Sequence, residues 1–267
     1  MLEQAADAEV DVDVALSRGL TVTQILYYAR QNHVGLIIMG TLMYGGVFGM
    51  PVVETDQWSG LPLTLTLSLF GMVGAYPLGI LLALGRRSNM PIVKAVSVIF
   101  IEFWRGVPLI TVLFMSSVML PLFFPEGTDF DKLLRAMIGI ILFQSAYMAE
   151  VVRGGLQAIP KGQYEEAAAV GLSYWKSMGF IILPQALKIS IPGIVNTFIG
   201  LFKDTTLVVF IGLFDPIGLA GAIRASTEWN GIYWELFLFI GVMFFIFCFS
   251  MGRYSLYLEK KLQREHR

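Results

Sequence analysis

The chain has 267 residues, 56% of them hydrophobic and only 15% charged, with a mean hydropathy of +0.68. Water-soluble domains carry about 25% charged residues, so this composition belongs in a bilayer, and a net charge of −1 supplies no field for nucleic acid. One cysteine, Cys248, and two histidines, His33 and His266, exclude a disulfide framework and a Cys/His metal centre.

In chain order, residues 1–31 are polar and acidic, without the basic start and prompt apolar core of a secretory signal. A Gly-rich apolar run at 34–53 reads as a first membrane span, within 32–53. Runs at 61–84, 92–124, 133–152, 189–214 and 234–257 follow, each long enough for a hydrocarbon core of roughly 30 Å. The run 92–124 is too long for one straight crossing and is interrupted by Glu102, Arg105 and Pro108. The stretch 215–231 has room for a short helix on the outer face, and 263–267 is a basic tail. The fold class expected is an all-α polytopic membrane protein.

Basic residues fix the expected orientation. Arg86, Arg87 and Lys94 separate the second and third spans, and Arg153, Lys161, Lys176 and Lys188 separate the fourth and fifth. Arg253, Lys260, Lys261, Arg264 and Arg267 close the chain, whereas the loops near Glu54 and Glu126 are acidic. The positive-inside rule then puts both termini and the loop 154–188 in the cytoplasm.

That loop is polar where its surroundings are not. Helix formers Glu165, Glu166, Ala167 and Ala168 run up to Gly171, and a second short helix is expected to stop at Pro184, after Leu183. The pattern predicts a helix-turn-helix between two spans, a handle for a protein outside the bilayer. Glu165 and Glu166 are neighbours in sequence but diverge by about 100° on a helix, so they do not form an acid/base dyad. No GxxxxGK[ST] phosphate loop, GxSxG turn or HExxH helix is present; an enzyme, or a chain binding ATP by itself, is not expected.

Charges inside the spans are the other candidates. Lys203 and Asp204 fall near the middle of the fifth span, where an ionisable side chain costs at least about 2.5 kcal/mol unless it faces a cavity or a partner. Either they line a solute path, meeting the two charges of a zwitterion with Thr205 and Thr206 adding hydroxyls, or they form a structural pair. Glu102 with Arg105 and Glu150 with Arg153 are spaced i,i+3; local salt bridges and a cross-helix network near a cytoplasmic gate are the two readings. Gln144 and Tyr147, about a turn before Glu150, are further path-lining candidates.

Glu165-Glu166-Ala167, three residues, Gly171, nine residues, then Ile181-x-Leu183-Pro184 closely resembles the EAA signature of membrane-spanning subunits of bacterial ABC importers, with Glu166 where the pattern has Ala. The stretches IEFWRGVPL at 101–109, AYMAEVVRGG at 146–155, IPKGQ at 159–163 and FKDTTL at 202–207 are similar to polar amino acid permeases of the histidine/glutamine/general L-amino acid branch. Residues 184–218 look most like its M-type permeases. The resemblance implies a type I importer permease fold of five core helices at 54–262, with 154–188 as the coupling loop and the span at 32–53 as an addition. Larger members of the branch carry still more N-terminal helices.

It also implies the assembly. Cytoplasmic ATP-binding subunits would hold the ATP and Mg, this chain binding no cofactor. A second homologous permease would form a heterodimer with it, and a periplasmic binding protein would deliver a polar L-amino acid. Localisation would be the bacterial inner membrane, with alternating access as the mechanism. A self-contained, ion-coupled secondary transporter or channel is the competing reading, and it leaves the Glu165-to-Pro184 spacing unexplained.

Overall fold

The computed structural model describes residues 58–125, 131–225 and 233–264, the side chains to 261. The expected N-terminal segment 1–31 and the expected span 32–53 lie outside them. Ser59–Arg267 forms one compact unit, and the described residues in it are helical throughout, with short connections.

The first described helix, α1 (Gly60–Arg86), buries Thr64, Ser68, Gly71, Ala75, Gly79 and Ala83 along one side. These small residues recur every three or four positions and let α4 (Lys132–Ala158) approach closely. A Cβ at Gly79 would lie 2.6 Å from the Met148 Cβ, and one at Gly71 would lie 2.9 Å from Ile140. Between lipid chains the hydrophobic effect gives helices no reason to associate, so close packing of this kind supplies the contact.

The run 92–124 is broken as expected. Helix α2 (Pro91–Gly106) stops before Val107, whose backbone is extended (φ −101°, ψ 134°) as the ring of Pro108 demands of the residue before it. Helix α3 (Leu109–Phe114) then starts afresh, and the two stretches, Pro91–Gly106 and Leu109–Phe123, meet at 102°.

After α4 the chain forms α5 (Lys161–Ala169), turns, and starts α6 (Tyr174–Ser177). The ladder widens into a π turn over Met178–Ile182 and continues as α7 (Leu183–Asp204), then tightens to 3-10 geometry over Thr205–Ile211. The expectation that Pro184 ends a helix is therefore corrected: Tyr174–Ile211 is one apolar run of 38 residues, and Pro184 sits inside it. Pro at the second residue of α7 follows directly on the π turn, where a wider ladder accommodates a missing N–H without breaking the rod.

Helix α7 crosses α4 where a Cβ on Gly155 would collide with the Ser190 hydroxyl and the Ala186 carbonyl. The Ser190 hydroxyl donates to Ala186 O (2.8 Å) and Val151 O (3.3 Å), so its polarity is spent locally. The short helix expected after residue 215 is α8 (Pro216–Ala225), and α9 (Trp234–Arg264) follows. Helix α9 leans on α7 through Phe202, whose ring meets Phe244 at 5.2 Å and Phe247 at 5.6 Å. Leu238, Phe239, Phe245 and Phe249 of α9 face outward, as a helix bathed in lipid allows. Among the described residues, α1, α4, Tyr174–Ile211 and α9 are each long and apolar enough to cross a membrane, and the bent pair supplies one more crossing if it counts as a single span.

Candidate functional site: a seated helix, a charge cluster and a cleft

Helix α5 is tied to the bundle at three points. Ala167 is buried at 2% exposure. The Tyr164 hydroxyl donates to Leu156 O at the end of α4 (3.1 Å), and Gln185 of α7 donates to Gln163 Oε1 (3.0 Å). Beneath α5, Leu156, Ile159, Met178 and Ile182 share one apolar core with Ala83, Met148 and Ala186. Helix α5 is thereby in contact with two helices long enough to cross a membrane, α4 and the run Tyr174–Ile211.

What α5 leaves outside is acidic and small: Glu165, Glu166, Ala168 and Ala169 are exposed. Glu166 accepts a hydrogen bond from Gln163 (3.2 Å). Of the two alanines singled out in the sequence, the buried Ala167 serves the seat of α5 on its own bundle and Ala168 faces out.

The end of α5 explains Gly171. Leu172 N–H donates to Ala167 O and Gly171 N–H to Ala168 O, the paired bonds of a Schellman cap. That cap puts Gly171 in the left-handed region, at φ +79°. A Cβ there would meet nothing within 4 Å, so the requirement for glycine is conformational and not one of space.

Beside this seat lies a charge cluster. Glu150 of α4 pairs with Arg153 (2.8 Å), with Arg86 of α1 (2.9 Å) and, at 4.0 Å, with Arg105 of α2. Arg86 also bonds Glu102 (2.9 Å). The i,i+3 spacing holds Glu150 with Arg153, but Glu102 reaches Arg86 across helices, and Arg105 instead lies 5.7 Å from the Tyr147 ring centroid. Arg86 was not among the candidates; its partners are 16 and 64 positions away, and no local spacing signals them.

The third element is a cleft of about 240 Å³ between α4 and α7, lined by Phe143, Gln144, Tyr147, Thr197, Gly200, Leu201 and Asp204. Gln144 is held there by donating to Thr197 O (3.1 Å). The cleft gathers Gln144, Tyr147 and Asp204, but not Lys203, Thr205 or Thr206. Lys203 is exposed on the outside of α7. Thr205 is fully buried with its hydroxyl donated to Phe202 O (2.8 Å), and the Thr206 hydroxyl donates to Lys203 O (2.8 Å). Lys203 and Asp204, which point about 100° apart as neighbours on a helix, therefore face different surroundings: Lys203 the outside of α7 and Asp204 the cleft.

On the far side from α5, Asp215 is a fully buried N-cap of α8, accepting from Ile217 N–H (3.1 Å) and Gly218 N–H (2.9 Å). Burial pushes its carboxyl above the ordinary range, and these N–H groups oppose that shift.

Comparison with known proteins matches residues 75–264 to the family described as binding-protein-dependent transport system inner membrane component. The chain is 64% identical over 225 residues to the inner membrane amino-acid ABC transporter permease protein YhdY of Escherichia coli (strain K12), covering 84% of this chain and 61% of that one. It is 51% identical over 268 aligned positions to the glutamate/glutamine/aspartate/asparagine transport system permease protein BztC of Rhodobacter capsulatus, covering 100% of this chain and 61% of that one. The chain thus spans 61% of the length of each of these two relatives. Among solved structures, an amino acid ABC transporter with histidines is similar at a TM-score of 0.67 and 29% identity, over 76% of this chain and 92% of that one. The MetNI methionine ABC transporter shares the fold alone, at a TM-score of 0.59 and 20% identity over 74% of this chain and 90% of that one. With a helical bundle, a seated α5 and a match over residues 75–264, the chain belongs to the family of binding-protein-dependent transport system inner membrane components.

Proposed function

We propose that this chain is a permease subunit of an ATP-driven importer that carries polar L-amino acids across the bacterial inner membrane by alternating access. The observation that carries the reading is α5: it presents Glu165 outward while Tyr164 and Gln163 bind it to α4 and α7. A self-contained transporter has no use for such a lever. Relatives named as amino-acid permeases supply the substrate class.

In this reading a cytoplasmic ATP-binding subunit, holding the ATP and Mg, grips Glu165 and Ala168, and its closure tilts α5. The core under α5 and the cluster at Glu150 convert the tilt into rearrangement of α1, α2 and α4. Leu183 and Pro184 belong to the rod that carries the same movement into α7. The cleft at Asp204 receives the ammonium of the amino acid, and Arg105, stacked beside Tyr147, attracts its carboxylate. A second homologous permease covers the outer face of α7, where Asn196 and Lys203 are both exposed, two turns apart; a polar face at that depth is costly against lipid. A binding protein delivers the solute from the side opposite α5, and both termini lie on the side of α5.

Co-purification tests the reading. From membranes that express the whole system, the chain should bring down an ATP-binding subunit. A purified chain that moves amino acids under an ion gradient alone would overturn it.

A further inference from the structure

A cleft of about 440 Å³ opens where the end of α1 meets the beginnings of α2 and α6. Leu84, Met90, Val93, Tyr174 and Trp175 are among its apolar walls, and Arg87, Ser88 and Asn89 are its polar lining. Trp175 is 71% exposed and meets Tyr174 edge-on at 5.3 Å. The cleft lies at the Arg86 end of α1, a run of 27 residues that is long enough to cross the hydrocarbon core and reach the headgroups at both ends, which puts the cleft near headgroup depth. Aromatic side chains with one polar edge prefer that depth.

Its charge is one-sided. Among the described residues no carboxylate lines the cleft, whereas Arg87 does, and the exposed Lys94 and Lys176 directly follow the wall residues Val93 and Trp175. Arg87 spends one N–H on the Tyr164 hydroxyl (3.1 Å), its guanidinium lying 5.6 Å from that ring centroid. The other guanidinium N–H groups remain as a fork suited to a phosphate. Apolar walls meeting a cationic edge at headgroup depth match the two ends of one kind of molecule.

We propose that this cleft binds an anionic phospholipid, with the upper acyl chain against Leu84, Met90, Val93 and Trp175 and the phosphate on Arg87. The proposal rests on the reading of α1 and Tyr174–Ile211 as membrane spans, and is independent of which solute is carried.

Trp175 is its own probe. The full chain is placed in nanodiscs of zwitterionic lipid containing increasing mole fractions of brominated phosphatidylglycerol or brominated phosphatidylcholine. The emission of Trp175 is the difference between the wild type and Trp175→Phe. Both leaflets have the same composition, so orientation does not enter. Quenching by the anionic lipid should half-saturate at about a fivefold lower mole fraction, the worth of one basic contact at a membrane surface. Arg87→Gln should abolish that preference and Arg87→Lys retain most of it. Water-soluble glycerol phosphate should leave the quenching unchanged. Equal quenching by the two lipids, a preference that survives Arg87→Gln, or its loss to glycerol phosphate would overturn the proposal.

Discussion

Single residues carry more of this protein's architecture than its apolar composition suggests. Gly171 is needed for its backbone, since its Cβ would meet open space at φ +79°. Gly171→Ala should cost about 1 kcal/mol in the turn after α5, and Gly171→Asn less, because Asn tolerates the left-handed region. Hydrogen exchange of the α5 amides should accelerate in the order Gly, Asn, Ala; equal rates in all three would show that the cap does not hold α5. Asp215 is a second such residue. Its raised carboxyl contributes stability that is present below the ordinary carboxylate range and lost as pH rises through its own folded-state value. Asp215→Asn keeps a capping side chain without the charge, so its melting temperature should gain on the wild type from about pH 4 towards neutrality. A constant difference across that range would contradict this sign. Glycine after an Ala run was legible in the sequence because a helix end has few chemical solutions. The buried state of Asp215 was not, because burial depends on packing partners distant in the chain.

Between elements, small residues and ion pairs decide the contacts. Glu150 joins α4 to α1 and α2 through Arg86 and Arg105 as well as to its own Arg153. Glu150→Gln leaves guanidinium groups without their carboxylate, and a loss of about 1–3 kcal/mol should follow in detergent melts. Combined with Arg86→Gln, the two losses should be non-additive by at least about 0.5 kcal/mol; strict additivity would mean the cluster has no shared energy. Helix breaks followed from local rules: Pro108 forces an extended Val107, and the 102° bend appears there. Pro184 obeys the same rule of chemistry with a different outcome, since the π turn over Met178–Ile182 precedes it and the rod runs on. Local sequence shows the proline but not the widened ladder. Likewise, 3.6 residues per turn already separates Lys203 from Asp204, while the facing wall from α4, with Gln144 and Tyr147, emerges only when the helices pack.

At the scale of the whole molecule, the proposed function gives the bundle one face that lipid should avoid and one lever outside the lipid. The face is the outer side of α7, at Asn196 and Lys203. With Cys248→Ser removing the native thiol, Asn196→Cys labelled with a benzophenone maleimide should photo-cross-link to a second permease chain in the assembled importer. A product with lipid alone would remove that face from the interface. The lever is α5, and the reading of the chain as a driven permease rests on it. Proteoliposomes of the assembled importer, with wild-type chain or Glu165→Arg, allow ATP hydrolysis and amino acid uptake to be measured in the same sample. The account predicts that reversing this exposed charge lowers uptake per ATP hydrolysed by at least about tenfold, equivalent to the loss of roughly one charge-assisted contact, or releases the ATP-binding subunit altogether. Wild-type uptake and wild-type assembly with Glu165→Arg would contradict it.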